Sequence, residues 1–260
     1  MKFAKKSLGQ NFLKDKNIIK KIINLIEIKN RNIVEIGPGE GALTEEILKQ
    51  NPKSLSIIEK DFNLYEKLKI KFLKNKIIKI YNEDILKFDI QKIDKKNSAI
   101  FGNLPYNISS QILVKILKFN NWPPKFNDLI LMFQKELGDK ILGKYQSSNY
   151  GRLSILSNYR LTTLGKFLVS PNCFFPKPKV NSLVIHFKPK ISTFNIKKIE
   201  SLEKVTNILF SNKRKMINKN IKKILKNDEI IKIPNLKLTF RPSEVKPEIF
   251  YKITELYERK

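Results

Sequence analysis

The sequence has one cysteine, Cys173, and one histidine, His186. A single cysteine excludes an internal disulfide bond and any metal cage built from several thiolates. His186 lies in the alternating run LVIHF at residues 183–187. This pattern is typical of a strand, so we interpret His186 as a strand-face residue rather than a catalytic base. Zinc sites and Ser-His-Asp triads therefore lack the side chains they need, and we expect no metal.

Long hydrophobic runs are also missing. No apolar stretch reaches the length of a membrane span, and the basic start, MKFAKKSL, is not followed by an apolar segment of signal-peptide length. A single cysteine is consistent with a reducing compartment. We therefore expect a cytoplasmic protein without a membrane partner.

Acidic residues are few: 24 Asp and Glu stand against 52 Lys and Arg, which gives a formal net charge of +28. Such a surface attracts polyanions, of which nucleic acid is the commonest, with an anionic membrane surface as the rival. Lysine, isoleucine and asparagine recur throughout the chain, as they do in proteins of AT-rich genomes. Codon usage therefore explains part of the excess, and the charge alone does not identify the function.

The hydrophobic pattern predicts an α/β protein. A chain of 260 residues accommodates one full α/β domain and a smaller second one. Short β-branched runs alternate with amphipathic runs over the first two thirds, whereas residues 199–226 look helical with lysine-rich faces. We predict a Rossmann-like domain over residues 1–187 and a small C-terminal α-helical domain over residues 188–260. The predicted strands span residues 32–36, 54–58, 77–81, 98–102 and 129–133, and the clearest predicted helices span residues 44–50, 62–73 and 110–119.

A glycine-rich turn, GPGEG, occupies residues 37–41 directly after the first predicted strand. Glycines allow a tight turn close to a ligand, and the helix that follows offers unpaired amides. Glu59, after the next strand, can accept hydrogen bonds from both hydroxyls of a ribose, and Asp84, after the third, can accept one from an adenine amino group. Together they predict a nucleoside site. A dinucleotide site is the alternative, but the spacing departs from G-x-G-x-x-G, and a methyltransferase fits better.

The sequence NLPY at residues 103–106 follows the fourth predicted strand. The 6-amino nitrogen of adenine is a poor nucleophile because its lone pair is delocalised into the ring. It becomes more reactive when acceptors hold its hydrogens, and the side-chain oxygen of Asn103 and the backbone carbonyl of Leu104 can do so. Pro105 fixes the turn, and the ring of Tyr106 can stack on the base. The motif predicts methylation of an adenine amino group.

With residues 6–13, KSLGQNFL, and residues 174–182, FFPKPKVNS, these motifs make the chain resemble the KsgA-type rRNA adenine dimethyltransferases over nearly its whole length. The resemblance implies a class I methyltransferase domain over residues 1–187 and S-adenosylmethionine as cofactor. It also implies roles for individual residues at the cofactor: Asn11 and Leu13 close over it, Gly37 lines its methionine part, Glu59 binds its ribose and Asp84 binds its adenine. At the acceptor site, the resemblance implies that Asn103 touches both donor and acceptor, and that Phe174 sandwiches the target adenine against Tyr106.

The resemblance implies dimethylation of two neighbouring adenines near the 3′ end of 16S rRNA, within the immature small ribosomal subunit, and we expect a monomer. The related erythromycin-resistance methylases, which act on large-subunit rRNA, are the alternative. The NLPY form, YGRLS at residues 150–154, and the basic residues 213–215 with RPSE at residues 241–244 favour the small-subunit type. A non-catalytic assembly factor that binds rRNA is a further hypothesis. DNA methylation is disfavoured, because no duplex-reading domain is recognisable.

Overall fold

The computed structural model describes residues 10–259. Residues 6–9 of the N-terminal motif lie outside the described residues. The strands are β1 (Phe12–Leu13), β2 (Asn32–Ile36), β3 (Ser54–Glu59), β4 (Ile78–Asn82), β5 (Ser98–Asn103), β6 (Phe126–Gln134), β7 (Leu161–Val169), β8 (Phe174–Phe175) and β9 (Ser182–Pro189). The α-helices are α1 (Lys16–Ile23), α2 (Ala42–Lys49), α3 (Phe62–Lys71), α4 (Ser109–Leu117), α5 (Lys135–Ile141), α6 (Arg152–Arg160), α7 (Ile199–Phe210), α8 (Asn218–Ile221), α9 (Asn227–Ile231) and α10 (Pro247–Tyr257).

Seven strands form one mixed sheet in the order β4-β3-β2-β5-β6-β9-β7. Neighbouring strands from β4 to β6 are parallel, whereas β9 runs antiparallel to β6. The chain moves outward from β2 to β4 and then returns to place β5 on the other side of β2. That reversal creates a crevice at the carboxyl ends of β2 and β5, where open α/β sheets bind their ligands. The predicted Rossmann-like α/β fold is confirmed.

The central strands are apolar because both faces of a parallel sheet are covered. In β5, Ala99, Ile100 and Phe101 are all buried, and the apolar residues of β2 and β3 are buried as well. Each of the five predicted strands overlaps an observed one: the strand at residues 32–36 matches β2 at both ends, and the ends of the others differ by at most three residues. The edge strand β7 was not predicted, since most of its residues are exposed and it carries no continuous apolar run.

A separate two-stranded ribbon joins the N-terminal segment to the FFPKPKVNS segment. In it, β1 pairs antiparallel with β8, with Phe12 opposite Phe175 and Leu13 opposite Phe174. Side chains alternate along a strand, so the two pairs face opposite ways. Leu13 and Phe174 are buried in the hydrophobic core, whereas Phe12 is partly buried and Phe175 is exposed. The ribbon therefore has one core face and one open face.

The chain divides into two compact units. Among the described residues, the first comprises 10–138 together with Thr162–Pro189, and the second comprises Asp139–Leu161 together with 190–259. The predicted boundary after residue 187 lies two residues before the chain leaves the first unit, but the sequence analysis did not assign residues 139–161 to the second. Those residues join it through long-range bonds: the Tyr150 hydroxyl donates to the Val245 carbonyl, and the Tyr251 hydroxyl donates to the Ile155 carbonyl.

The lysine-rich segment from residue 199 is not helical throughout. The helix α7 ends at Phe210, and residues 211–216 form an exposed turn that contains the basic residues 213–215. The amide of Ile217 donates to the Phe240 carbonyl, which anchors the end of that turn. The expectation of helical faces over the whole of residues 199–226 was therefore wrong. A run of adjacent cations offers no apolar stripe that could bury a helix face.

Candidate active site

The glycine turn after β2 lies directly against the corner formed by residues 103–106. Gly37 and Gly39 have φ angles of +66° and +60°, which residues with a Cβ rarely adopt. A Cβ on Gly37 would lie 3.6 Å from the backbone oxygen of Asn103 and 3.7 Å from the ring of Pro105. A Cβ on Gly39 would lie only 2.7 Å from the ring of Phe12. The fold thus brings the two motifs, and the N-terminal segment, to one place.

A cavity opens at this point, at the carboxyl ends of β2, β3 and β5. Five residues implied for the cofactor line it, namely Asn11, Leu13, Gly37, Glu59 and Asn103, and so do Leu104 and Tyr106. Asp84 and Phe174 do not line it. Its full lining consists of residues 10–13, 36–40, 42–43, 58–60, Leu64, Glu83, Ile85 and 103–108.

The Glu59 carboxylate ends β3 and is held by two backbone amides. Its Oε1 accepts a hydrogen bond of 2.8 Å from the Asp61 amide, and its Oε2 accepts one of 3.3 Å from the Gly39 amide. Burial raises the pKa of Glu59 above its usual range, while the two amide hydrogen bonds oppose the shift. Each carboxylate oxygen keeps a second lone pair. Glu59 is therefore a fixed, paired acceptor of the kind that a ribose diol needs.

Asp84 lies beside the cavity between two lining residues, Glu83 and Ile85. One carboxylate oxygen contacts the Nζ of Lys60 at 2.9 Å, and the other accepts a 2.9 Å hydrogen bond from the Leu86 amide. The hydrogen bond from Lys60 holds the pKa of Asp84 below its usual range. The carboxylate is thus charged and oriented by its own loop, and its role toward an adenine stays a prediction.

The side chain of Asn103 is oriented by the N-terminal segment. Its Nδ2 donates a 3.0 Å hydrogen bond to the backbone oxygen of Asn11. Since the two ends of an amide side chain are chemically distinct, fixing the nitrogen also fixes the direction of Oδ1. Both residues line the cavity. Asn103 is therefore pre-positioned as a hydrogen-bond acceptor.

Tyr106 is anchored at its hydroxyl. That oxygen lies 2.6 Å from the Oγ of Ser182, the fully buried first residue of β9. Burial raises the pKa of Tyr106 above its usual value, so the phenol stays neutral at physiological pH. The Oγ of Ser109 donates to the Tyr106 carbonyl at 3.1 Å, which ties the corner to the start of α4. The hydroxyl and the backbone of Tyr106 are thus both anchored, and the residue lines the cavity.

Phe174 contributes to the protein core in this structure. Its side chain is 5% exposed, whereas that of its neighbour Phe175 is 47% exposed. Phe174 shares a hydrophobic cluster with Leu13. Its stacking on a target adenine therefore stays a prediction, and the ring available to solvent in this segment is that of Phe175.

The sequence analysis missed a buried acid next to the cofactor side of the cavity. Glu35, the penultimate residue of β2, is fully buried, and its Oε2 accepts a 2.6 Å hydrogen bond from the hydroxyl of Thr44. Desolvation raises the pKa of Glu35 to about 7. A charged residue inside the apolar run IVEI was the available signal. Ser182 and Phe12 were also missed, since their contacts join distant parts of the sequence.

No group of three or more His, Cys, Asp or Glu side chains within residues 10–259 could hold a metal ion. No helix within the same range is both long and apolar enough to cross a bilayer.

Comparison with known proteins identifies the family. The profile of the family described as "Ribosomal RNA adenine dimethylase" matches residues 1–257. The Ribosomal RNA small subunit methyltransferase A of Pelagibacter ubique (strain HTCC1062) is 44% identical over 259 residues, with 98% of this chain and 97% of that protein covered. The protein of the same name from Malacoplasma penetrans (strain HF-2) is 41% identical over 256 residues, with 96% and 91% covered.

Solved structures agree with this result. A dimethyladenosine transferase from Plasmodium falciparum superposes with a TM-score of 0.72 at 25% identity, covering 93% of this chain and 95% of that one. The 23S rRNA methyltransferase ErmE gives a TM-score of 0.70 at 22% identity, covering 95% and 99%, and shows a shared fold. The chain therefore belongs to the ribosomal RNA adenine dimethylase family and is an S-adenosylmethionine-dependent methyltransferase of rRNA adenines.

Proposed function

We propose that the protein dimethylates the 6-amino groups of two adjacent adenines near the 3′ end of 16S rRNA, in the cytoplasm, as a monomer acting on the immature small subunit. Relatives named for the small subunit, at 44% and 41% identity, support this choice of RNA. The main support for the proposed chemistry is the hydrogen bond that the Asn103 side chain donates to the Asn11 carbonyl. This bond orients the Oδ1 of Asn103 next to the glycine turn.

In the proposal, the active-site cavity holds S-adenosylmethionine, a nucleoside that bears a short polar tail. Glu59 would bind the ribose hydroxyls and Asp84 the adenine amino group, with the apolar lining residues Ile58, Leu64 and Ile85 around the base. Gly37 would lie along the methionine part, since its positive φ disfavours any residue with a side chain at that position. Asn11 and Leu13 would cover the cofactor. When bound, S-adenosylmethionine supplies a methyl group on a positively charged sulfur, which makes that carbon electrophilic.

The acceptor residues raise the nucleophilicity of the adenine nitrogen. In the proposal, the Oδ1 of Asn103 and the carbonyl of Leu104 accept the two hydrogens of the 6-amino group, and its lone pair becomes localised on nitrogen. The Tyr106 ring stacks on one face of the base. Attack then depends on positioning rather than on a general base, and the proton leaves to water afterward.

Phe174 stays in the proposal as the ring on the opposite face of the adenine. Because only 5% of its surface is exposed here, it would reach the base by its exposed edge or after a shift of the ribbon formed by β1 and β8. Leu13 lies on the other strand of that ribbon, and Asn11 directly precedes that strand. A shift of this kind would therefore couple cofactor covering to adenine binding.

A label-transfer experiment tests the choice of substrate. Purified protein is incubated with methyl-labelled S-adenosylmethionine and either immature small subunits or large subunits, with the Asn103→Ala variant as control. We expect label on 16S rRNA with the wild-type protein only. Label confined to 23S rRNA would assign the protein to the resistance type. Tight binding to small subunits without any label would favour the assembly-factor hypothesis.

A further inference from the structure

The open face of the ribbon carries an aromatic ring covered by a cation. Phe175 is 47% exposed, and the Nζ of Lys14 lies 4.1 Å from its ring centroid. The Lys14 amide donates a 2.8 Å hydrogen bond to the Cys173 carbonyl, so the backbones beneath the two side chains are joined. The pair is therefore held in place by the ribbon rather than by a chance side-chain contact.

This pair lies next to the active-site cavity without lining it. Phe175 is the strand partner of Phe12, so the two side chains lie on the same face with their Cβ atoms about 5 Å apart. Phe12 lines the cavity and packs on Gly39, whereas Phe175 does not line it. Phe175 is thus one strand removed from the cavity, at its rim.

The surrounding charge is suited to a polyanion. Lys177 and Lys179 are both exposed in the loop that follows Phe175. The nearest acid along the chain, Asp15, is occupied as the N-cap of α1, where its Oδ1 accepts from the amides of Asn17 and Ile18. An exposed ring with an ammonium group beside it is the combination that binds an unpaired nucleotide, with the ring stacking on the base and the cation contacting phosphate.

We propose that Phe175 and Lys14 bind the nucleotide next to the adenine that occupies the cavity. This inference rests on the proposed function, because that function places two target adenines side by side. While one adenine is held at Asn103, its neighbour stacks on Phe175, and the Lys14 ammonium contacts the intervening phosphate. The platform thereby sets which adenine enters the cavity and keeps the second one bound for the next round.

The test uses a single-stranded RNA of the 16S 3′ region with the fluorescent base 2-aminopurine in place of the adenine beside the target. Kd and quenching on binding are measured for the wild-type protein and for Phe175→Ala, Phe175→Tyr and Lys14→Ala. Because a stacked ring contributes directly to the affinity for an unpaired base, we expect Phe175→Ala to raise Kd about tenfold, which corresponds to about 1.4 kcal/mol, and to abolish quenching. Phe175→Tyr should keep both the affinity and the quenching of the wild-type protein. Lys14→Ala should lower the slope of log Kd against log salt concentration by about one, as expected for the loss of one phosphate contact.

A second lysine–phenylalanine pair provides the matched control. The Nζ of Lys21 lies 4.4 Å from the ring centroid of Phe167, and neither residue lines the cavity. Lys21→Ala removes the same charge and should leave quenching unchanged. Wild-type Kd and quenching in Phe175→Ala would overturn the inference, and so would an equal loss in Lys21→Ala. Neither Kd nor quenching depends on methyl transfer. Quenching that depends on Phe175, in a protein that does not label 16S rRNA, would therefore contradict the proposed function but not the stacking of a nucleotide on Phe175.

Discussion

The side-chain amide of Asn103 donates a hydrogen bond to the backbone carbonyl of Asn11 at 3.0 Å. This bond joins the corner that is proposed to hold the target adenine to the segment that is proposed to cover the cofactor. Donor and acceptor sites are thus linked through one side chain. A change that moves the backbone carbonyl of Asn11 should consequently alter the orientation of the Asn103 side-chain oxygen.

Replacing Asn103 should mainly affect the chemical step. Asn103→Ala removes the acceptor, and we expect kcat to fall about 100- to 1,000-fold, as for the loss of one pre-organised polar group. Asn103→Asp keeps an oxygen but places a carboxylate against the Asn11 carbonyl, and it should be comparably impaired. Asn107→Ala serves as control, since Asn107 is exposed in the same corner and lines the same cavity. An Asn103→Ala enzyme with near wild-type kcat would refute the assigned role.

The hydroxyl and the ring of Tyr106 should contribute differently. Tyr106→Phe keeps the stacking surface but loses the 2.6 Å bond to Ser182, so we expect a several-fold lower kcat. Tyr106→Ala removes the ring and should lower kcat/KM about 100-fold or more. Ser182→Ala should resemble Tyr106→Phe, and the double variant should be no worse than either single one, because both changes remove one interaction. Additive losses in that double-mutant cycle would show that Ser182 does not act through Tyr106.

Removing one acceptor from Glu59 should weaken cofactor binding selectively. In Glu59→Gln, the new NH2 group cannot accept from either the Gly39 or the Asp61 amide, and one buried amide loses its partner. We expect the Kd for S-adenosylmethionine, measured by calorimetry, to rise at least tenfold while RNA binding is unchanged. Glu40→Gln, at an exposed acid in the lining, is the control. Equal cofactor affinity in Glu59→Gln and the wild-type protein would rule out ribose binding by Glu59.

Glu35 should make stability depend on pH. Its pKa rises from 4.5 to about 7 on folding because burial disfavours the charged form. Below pH 4.5 the carboxyl is protonated in both states, and above pH 7 the folded state must bury a charge, so wild-type stability falls across this interval. The unfolding free energy of Glu35→Gln, measured relative to that of the wild-type protein, should therefore rise by roughly 2.5 kcal/mol between pH 5 and pH 8.

Urea denaturation at those two pH values measures this difference. Glu27→Gln is the control, because Glu27 is an exposed acid in the same unit. A constant difference between Glu35→Gln and the wild-type protein at both pH values would show that Glu35 does not titrate on folding.

The sequence predicted the parallel sheet well because its strands are continuous apolar runs followed by turn residues. It also predicted that Gly37, Glu59 and Asn103 share a site, since the carboxyl ends of parallel strands meet at one edge. Periodicity could not show that Asp84 is held by Lys60 beside the cavity, because that contact depends on side-chain direction within a loop. Nor could it separate Phe174 from Phe175, whose opposite orientations follow from pairing with β1, a strand of only two residues.

The second unit was the least predictable part of the fold. Residues 139–161 join it through contacts between Tyr150, Ile155 and residues near 250, which no local pattern reports. The lysine-rich faces of residues 199–226 suggested continuous helices, but the adjacent cations at 213–215 lie in a turn. Lysine content alone therefore did not distinguish a helix from an exposed turn in this region.

The most direct test of the central claim is mass-spectrometric mapping of methylated nucleotides in 16S rRNA after immature small subunits are incubated with the protein and S-adenosylmethionine. We expect two adjacent adenines near the 3′ end to become N6,N6-dimethylated with the wild-type protein and to remain unmodified with Asn103→Ala. Unmodified adenines with the wild-type protein, or equal modification by both proteins, would contradict the mechanism built on Asn103.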